Sequence, residues 1–377
     1  MKSGITKKLH DKSIRIGIIG LGLIGGSLAR ALRAKMGIVP AVAVGRNEKV
    51  LGQAVADGNI MMYSTKVADI IDCDLVFLCV PVGKVFEIID EISLFYKGAV
   101  TDVASTKASI DGYIRQNHPG MRFIGGHPMA GSEKVGYEAS NANLFDNAPY
   151  ILCDTSRSKI ETGTSDPEDM EVMKSIVAGI GARAIMMEPH EHDRSVGLIS
   201  HLPHIAAYAL VETVKSHNDD RLRTIAAGGF RDVTRIASSD PDLWADILCD
   251  SGDTVTELLD GYIEALSDMR KCLAIKDREA LLNVFKSAKE YRDGMALPGK
   301  FKDGTIQLWV EIDDKPGMIA RVSTIFSVAG INIRNIGIQD SREYEGGSLR
   351  ITLSSPEDAE KGAKLLADAK MLVRIVS

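Results

Sequence analysis

Residues 14–19 (IRIGII) form a short β-branched run that ends at Gly20; glycines recur at 22 and 25, and residues 28–34 (LARALRA) carry a helical pattern. This predicts a strand, a glycine turn and a helix. Apolar runs return at 41–44, 75–80, 99–103 and 123–125, and again at 150–153 and 182–187, with helix-length stretches between several of them. Continuous apolar strands alternating with helices predict a parallel, doubly wound α/β sheet of the Rossmann type. The polar N-terminus, residues 1–13, reads as running directly into the first strand, and residues 154–169 as an exposed insertion or loop.

From about Glu188 the pattern becomes helical and stays so to about Arg292. Residues 191–215 form a mostly apolar helix in which Pro203 predicts a kink. A second helical segment meets Gly228-Gly229 and resumes at Phe230, and Asp240-Pro241 supplies an N-cap followed by proline at the first helical position. Residues 294–304 (GMALPGKFKDG) read as a linker. Beyond them come a strand at 306–312, a helix at 318–328, a strand at 331–338, a polar hairpin at 340–347, a strand at 349–353, a helix at 357–369 and a strand at 371–376. That order, β-α-β-β-α-β, is the ferredoxin-like split unit. The expected domains are therefore 1–188 for a dinucleotide, 189–293 all-helical, and 305–377 ferredoxin-like. The long apolar helical faces of the middle domain predict a homodimer.

A length of 377 residues accommodates two or three domains, and 45% hydrophobic with 25% charged residues is ordinary for a globular chain. The net charge of −6 argues against general nucleic-acid binding. Five cysteines (73, 79, 153, 249, 272) form no CxxC pair, which predicts reduced thiols and a cytoplasmic location. The N-terminus lacks the apolar centre of a signal peptide, and no segment reads as a membrane span.

The opening turn carries the first chemistry. Gly20, Gly22 and Gly25 match the phosphate-binding fingerprint of a dinucleotide fold, with Leu23 and Ile24 between them as further cofactor-binding candidates and a following helix whose N-terminal N–H groups point at the anion. The second strand ends at Gly45-Arg46, where an NAD-preferring fold places a carboxylate; Arg46 suits a 2′-phosphate, an adenine stack or a solvated loop, so NAD and NADP both stay open. Val80 and Pro81, then Asp102 and Ser105, then His127, lie at the ends of successive strands, where ligands of open parallel sheets sit. His127, in GGHPMAGSE (125–133), suits proton removal from a substrate hydroxyl during hydride transfer; its alternative is a loop histidine bonded to a carbonyl. His201 and His204 lie three apart in SHLPH (200–204), and with His190 and His192 they complete no familiar zinc spacing, so no metal is expected. Arg231 and Arg235 share a helical face and suit an anionic substrate, or form an exposed charged face.

As an ordered set, GLGLIGGS (20–27), DVASTK (102–107), GHPMAG (126–131), SHLPH (200–204) and TRIA (234–237) resemble the prephenate dehydrogenase family of tyrosine biosynthesis, over roughly residues 14–292. The tail, with Asp314-Lys315-Pro316-Gly317, resembles an ACT domain, a regulatory module that commonly binds amino acids. The resemblance implies oxidative decarboxylation of prephenate to 4-hydroxyphenylpyruvate with NAD or NADP as hydride acceptor. It implies His127 and Ser105 as catalytic residues and Ser200, His204, Arg231 and Arg235 as holders of the two substrate carboxylates. It implies feedback by L-tyrosine through Pro316, Gly317 and, from across a domain pair, Asn332. Two rivals stand beside it. Arogenate dehydrogenation would want an acidic residue at the side-chain end, for which Glu133 is a candidate. A non-catalytic sensor of dinucleotide and amino acid would not need His127, Ser105 and the arginine pair together.

Overall fold

Every residue of β1 (Ile16–Ile19) is buried, as expected for a strand covered on both faces. The computed structural model describes residues 4–131, 134–153, 166–295, 306–313, 315–340 and 346–376; for 338–340, 346–348 and 376 it describes the backbone alone. β1 belongs to an eight-stranded sheet with β2 (Val42–Val44), β3 (Met62–Ser64), β4 (Leu75–Leu78), β5 (Ala99–Asp102), β6 (Phe123–Pro128), β7 (Pro149–Cys153) and β8 (Arg183–Met187). The spatial order is β3-β2-β1-β4-β5-β6-β7-β8. Neighbours are parallel except β6 with β7, which run antiparallel. The order reverses direction between β1 and β4, the crevice where this class of sheet binds ligands.

Alternation along the strands divides the core into two layers. Ile16, Ile18, Leu75 and Phe77 pack in one, Ile19, Val76, Leu78 and Val100 in the other. Helix Val82–Ser93 shows the matching pattern, burying Val82, Val85, Ile89 and Ile92 on one stripe. Helices Pro167–Gly179, Pro189–Val196 and Pro241–Asp250 share one start signal. An acidic side chain (Asp166, Glu188 or Asp240) accepts from first-turn N–H groups, and proline follows, where no N–H is needed.

Three local expectations are corrected. The N-terminus does not run straight into β1: helix Ile5–His10 buries Ile5 and Leu9, one turn apart, and the Thr6 N–H donates to Glu168 Oε1 at 3.2 Å. Strand β3, a three-residue, largely exposed edge strand, adds to the expected strands; so short and exposed a segment carries no apolar run. The polar stretch expected to run to Asp169 gives way to helix at Pro167, and Asp169 is buried against Arg122, whose Nε donates to it at 2.9 Å. The helix expected to kink at Pro203 has its irregularity in the turn just before that residue. Helix Pro189–Val196 passes through a π-helical turn, Gly197–His201, into helix Leu202–Ser216. The wider turn resets the hydrogen-bond ladder just before Pro203, so its ring falls in the first turn of the new segment.

The chain divides into two compact units, one through Leu281 and one from Leu282. In the first, helix Pro241–Asp250 packs on helix Val82–Ser93, and Ser109 Oγ donates to Asp250 at 2.6 Å, so the helical region adjoins the sheet's carboxyl edge. In the second, β9 (Ile306–Asp313), β10 (Ile333–Asp340), β11 (Gly346–Leu353) and β12 (Val373–Val376) pair antiparallel in the order β10-β11-β9-β12. With helices Met318–Val328 and Pro356–Asp368 over an apolar face containing Leu308, Phe326 and Leu366, this is the expected ferredoxin-like topology. The expected linker lies largely outside the described residues, as does the tip of the hairpin.

Candidate active site

The ends of β1, β2 and β4 enclose a cleft of about 1010 Å³. Gly20 turns with φ of +95°, and a Cβ there would lie 2.3 Å from the Cys79 carbonyl oxygen. A Cβ on Gly25 would lie 2.1 Å from the Gly20 carbonyl oxygen, so the helix approaches the turn as closely as backbone allows. Gly22, by contrast, has open space where a Cβ would point. Helix Leu23–Ala31 starts there with no side-chain cap, which leaves the N–H groups of Leu23 and Ile24 free for a phosphate. Gly20, Gly22, Arg46, Val80 and Pro81 line the cleft; Leu23, Ile24 and Gly25 stand behind its wall as the helix's first turn. This is a cradle that fits a dinucleotide.

At the tip of β2, Gly45 holds the position of the usual carboxylate, and Asn47 is engaged in capping the next helix, accepting from the Val50 N–H at 3.2 Å. Arg46 is exposed on the cleft wall. Lys84 and Glu87 also line the cleft, and they pair with each other at 2.7 Å.

His127 occupies the carboxyl end of β6, two strands from β4 and therefore about 10 Å across the sheet. It is buried, and its Nδ1 lies 2.8 Å from His192 Nε2. His192 Nδ1 in turn lies 2.7 Å from Asp193 Oδ1. The same carboxylate accepts from the Lys107 N–H and the Ala108 N–H, each at 2.8 Å, at the start of helix Ala108–Asn117. Burial, then the nearby His192, Lys107 and His201, push the His127 pKa well below its ordinary value, so the imidazole is neutral at pH 7. Burial works to raise Asp193, but the His192 hydrogen bond and the two backbone donors outweigh it and hold the carboxyl below the usual range.

A second buried carboxylate secures the same loop. Asp102, at the end of β5, forms an ion pair with Lys107 and accepts from the Ala104 N–H at 3.1 Å and the Gly126 N–H at 3.0 Å. It thereby ties β5 to β6 beside His127. Ser105 sits half-buried between these anchored residues. Reading along the sequence singled out Asp102, Ser105 and His127 but did not connect Lys107, His192 and Asp193 to them. The only local hint was an adjacent histidine and aspartate inside a predicted helix.

On the helical side, Trp244 organises the histidines. His204 stacks on its ring with centroids 3.4 Å apart, and His201 meets it edge-on at 6.0 Å. His204 Nδ1 donates to the Ser200 carbonyl at 2.9 Å, which leaves Nε2 for a ligand. Burial, opposed by that bond and assisted by Arg235, lowers the His204 pKa. Arg235 therefore acts on His204 electrostatically, and both it and Arg231, one turn earlier on helix Gly228–Thr234, are exposed. Ser200 is half-buried in the π-helical turn. Glu133 lies outside the described residues.

In the C-terminal unit, Gly317 turns with φ of +89° at the start of helix Met318–Val328, following exposed Pro316. These residues follow β9, while exposed Asn332 precedes β10. β9 and β10 run in the same direction, each antiparallel to β11, so Asn332 lies at the opposite edge of the sheet, about 25 Å away along the strands. Only two copies of the unit can bring Asn332 beside Pro316-Gly317.

Comparison with known proteins gives the arrangement its relatives. Residues 28–186 match the model of the prephenate dehydrogenase nucleotide-binding domain, and residues 188–287 match that of the prephenate dehydrogenase dimerization domain. A prephenate dehydrogenase of Bacillus subtilis is 34% identical over 365 residues, covering 93% of this chain and 94% of the relative. The crystal structure of prephenate dehydrogenase from Aquifex aeolicus, in complex with hydroxyphenyl propionate and NAD+, superposes with a TM-score of 0.68 at 31% identity, over 74% of this chain and 97% of that one. A Synechocystis arogenate dehydrogenase superposes with a TM-score of 0.64 at 28% identity, over 74% and 99% of the two chains. With the fingerprint turn, the ordered motifs and the domain plan agreeing with these matches along nearly the whole length, the chain belongs to the prephenate dehydrogenase family.

Proposed function

We propose that this chain converts prephenate to 4-hydroxyphenylpyruvate and carbon dioxide, with NAD+ or NADP+ as oxidant, in the formation of tyrosine. The observation that carries the reading is a dinucleotide cradle on the same sheet edge as a buried, neutral histidine held through one nitrogen. Gly20, Gly22 and the free N–H groups of Leu23 and Ile24 hold the pyrophosphate, and the nicotinamide, when bound, supplies the hydride acceptor. His127 accepts the hydroxyl proton through Nε2 as the ring carbon gives up hydride and its C–O bond gains double-bond character. Carbon dioxide then leaves, the ring becomes aromatic, and the proton returns to the phenol oxygen. Ser105, anchored between Asp102 and Lys107, steadies the hydroxyl or the imidazole. Ser200, His204 Nε2, Arg231 and Arg235 hold the two carboxylates.

Gly45 and the exposed Arg46 support acceptance of a 2′-phosphate as well as a ribose hydroxyl. The helical region supports a homodimer. The 15-residue helix Leu202–Ser216 buries only Ala207, and the 23-residue helix Gly252–Ala274 buries only Val255 and Leu258, while Ile263, Leu266 and Leu273 are exposed. A second copy of the chain would cover such faces. Feedback by L-tyrosine rests on the ACT-like tail, with Pro316-Gly317 of one copy and Asn332 of another making the site. No helix among the described residues is long and apolar enough to cross a membrane.

The deciding experiment mixes the protein with prephenate and NAD+ or NADP+ and follows the absorbance of the reduced nicotinamide. A prephenate-dependent rise is expected; no rise with either cofactor refutes the reading. Titrating L-tyrosine in the same assay tests the feedback, and an unchanged rate at millimolar tyrosine removes it.

A further inference from the structure

Resting on the reading of His127 as the base, we propose that His192 and Asp193 are positioning residues that keep the His127 proton on Nδ1 and leave Nε2 bare for the substrate hydroxyl. Asp193 fixes the direction of the chain. Its carboxylate accepts from three N–H donors: His192 Nδ1 at 2.7 Å and the backbone N–H groups of Lys107 and Ala108 at 2.8 Å. An ionised carboxylate only accepts, so His192 must carry a proton on Nδ1. With its one ring proton directed at Asp193, His192 offers Nε2 as an acceptor, and its 2.8 Å partner, His127 Nδ1, donates. The other His127 nitrogen is the lone pair that general-base catalysis needs. In the opposite tautomer His127 would present an N–H to the substrate hydroxyl and could not take its proton.

The surroundings agree with this direction. Among the described residues, the other groups that act electrostatically on His127 are Lys107, which is buried in its own ion pair with Asp102, and His201. Neither supplies a hydrogen bond to His127 that would compete with His192. When His127 takes the proton, the positive charge is connected through His192 to Asp193, which stabilises it as the aspartate of a Ser-His-Asp triad stabilises its imidazolium. Because Asp193 also holds the N–H groups at 107 and 108, the same carboxylate sets the loop carrying Ser105 relative to His127. His192 and Asp193 are adjacent on helix Pro189–Val196 and bonded to each other; His192 also meets His127 of β6, and Asp193 the N–H groups of that loop.

Two variants and one spectrum test the relay. His192→Leu removes the acceptor, whereas His192→Gln retains an amide oxygen that can receive the His127 Nδ1 proton. For His192→Leu, kcat should fall on the order of a hundredfold or more, with the prephenate KM within about threefold and the acid limb of the kcat/KM pH profile displaced. His192→Gln should recover at least a tenfold part of the loss. In the wild-type enzyme, the ¹⁵N shifts of His127 should report the Nδ1–H tautomer without any turnover. A wild-type His127 protonated on Nε2, or a His192→Leu enzyme with wild-type kcat and pH profile, overturns the relay. A wild-type enzyme that does not oxidise prephenate refutes the base reading instead, and the ¹⁵N spectrum still decides the tautomer.

Discussion

His201 offers a quantitative check on the electrostatics of the site, because it stands outside the proposed chemistry. Its side chain is fully buried, its Nδ1 lies 3.4 Å from Ser251 Oγ, and its Nε2 has no partner among the described residues. Burial is the main cause that lowers its pKa to about 4; the nearby Asp193 opposes the shift, and His192 and His204 add to it. The folded pKa is below the unfolded value of about 6.5, so the contribution of this group is complete above pH 6.5 and is lost as pH falls toward 4. Between those limits the unfolded chain binds the proton and the folded chain does not. The linkage gives a loss of about 2 kcal/mol at pH 5 and about 3 kcal/mol at full effect. Replacing His201 by Gln, which does not titrate, removes that term. Urea unfolding of both proteins at pH 7 and pH 5, at one protein concentration, is the assay. Whatever stability His201→Gln loses at pH 7, the gap to wild type should close by about 2 kcal/mol at pH 5. A gap that is the same at both values refutes the assignment of His201 as a buried neutral group.

The remaining predictions concern activity. His127→Asn should lower kcat by a factor on the order of 10² to 10⁴ while the prephenate KM changes little, measured by steady-state kinetics; near-normal kcat would remove His127 as the base. Gly25→Ala places a Cβ 2.1 Å from the Gly20 carbonyl oxygen, so the helix must retreat from the turn. The cofactor KM should rise at least about tenfold, with destabilisation of about 1–3 kcal/mol in thermal or urea unfolding. Gly45→Asp puts a carboxylate at the tip of β2, where it bonds ribose hydroxyls and repels a 2′-phosphate. The ratio of kcat/KM for NAD+ over NADP+ should increase about tenfold or more, and an unchanged ratio would show that the adenosine ribose lies elsewhere.

What could be read from the chain alone was whatever local pattern encodes. The glycine spacing at 20, 22 and 25 specifies a turn because each position constrains the backbone around it, and the structure puts Gly20 at positive φ and Gly25 against the Gly20 carbonyl. Continuous apolar runs spaced by helix-length stretches marked the Rossmann-type sheet, and the helical pattern and element order marked the helical middle and the ferredoxin-like tail, since each reports which faces must leave water. The same logic failed where local signals are weak. Strand β3 has three mostly exposed residues, and helix Ile5–His10 has two buried ones. The site shows the limit most plainly. His127, His192 and Asp193 become one hydrogen-bonded chain across 65 residues of sequence, and Asp102 becomes the partner of Lys107 and Gly126 at once. No periodicity marks such a pairing. It exists because folding removes these groups from water, and a buried donor or acceptor must then find its partner in space, wherever the chain has brought one.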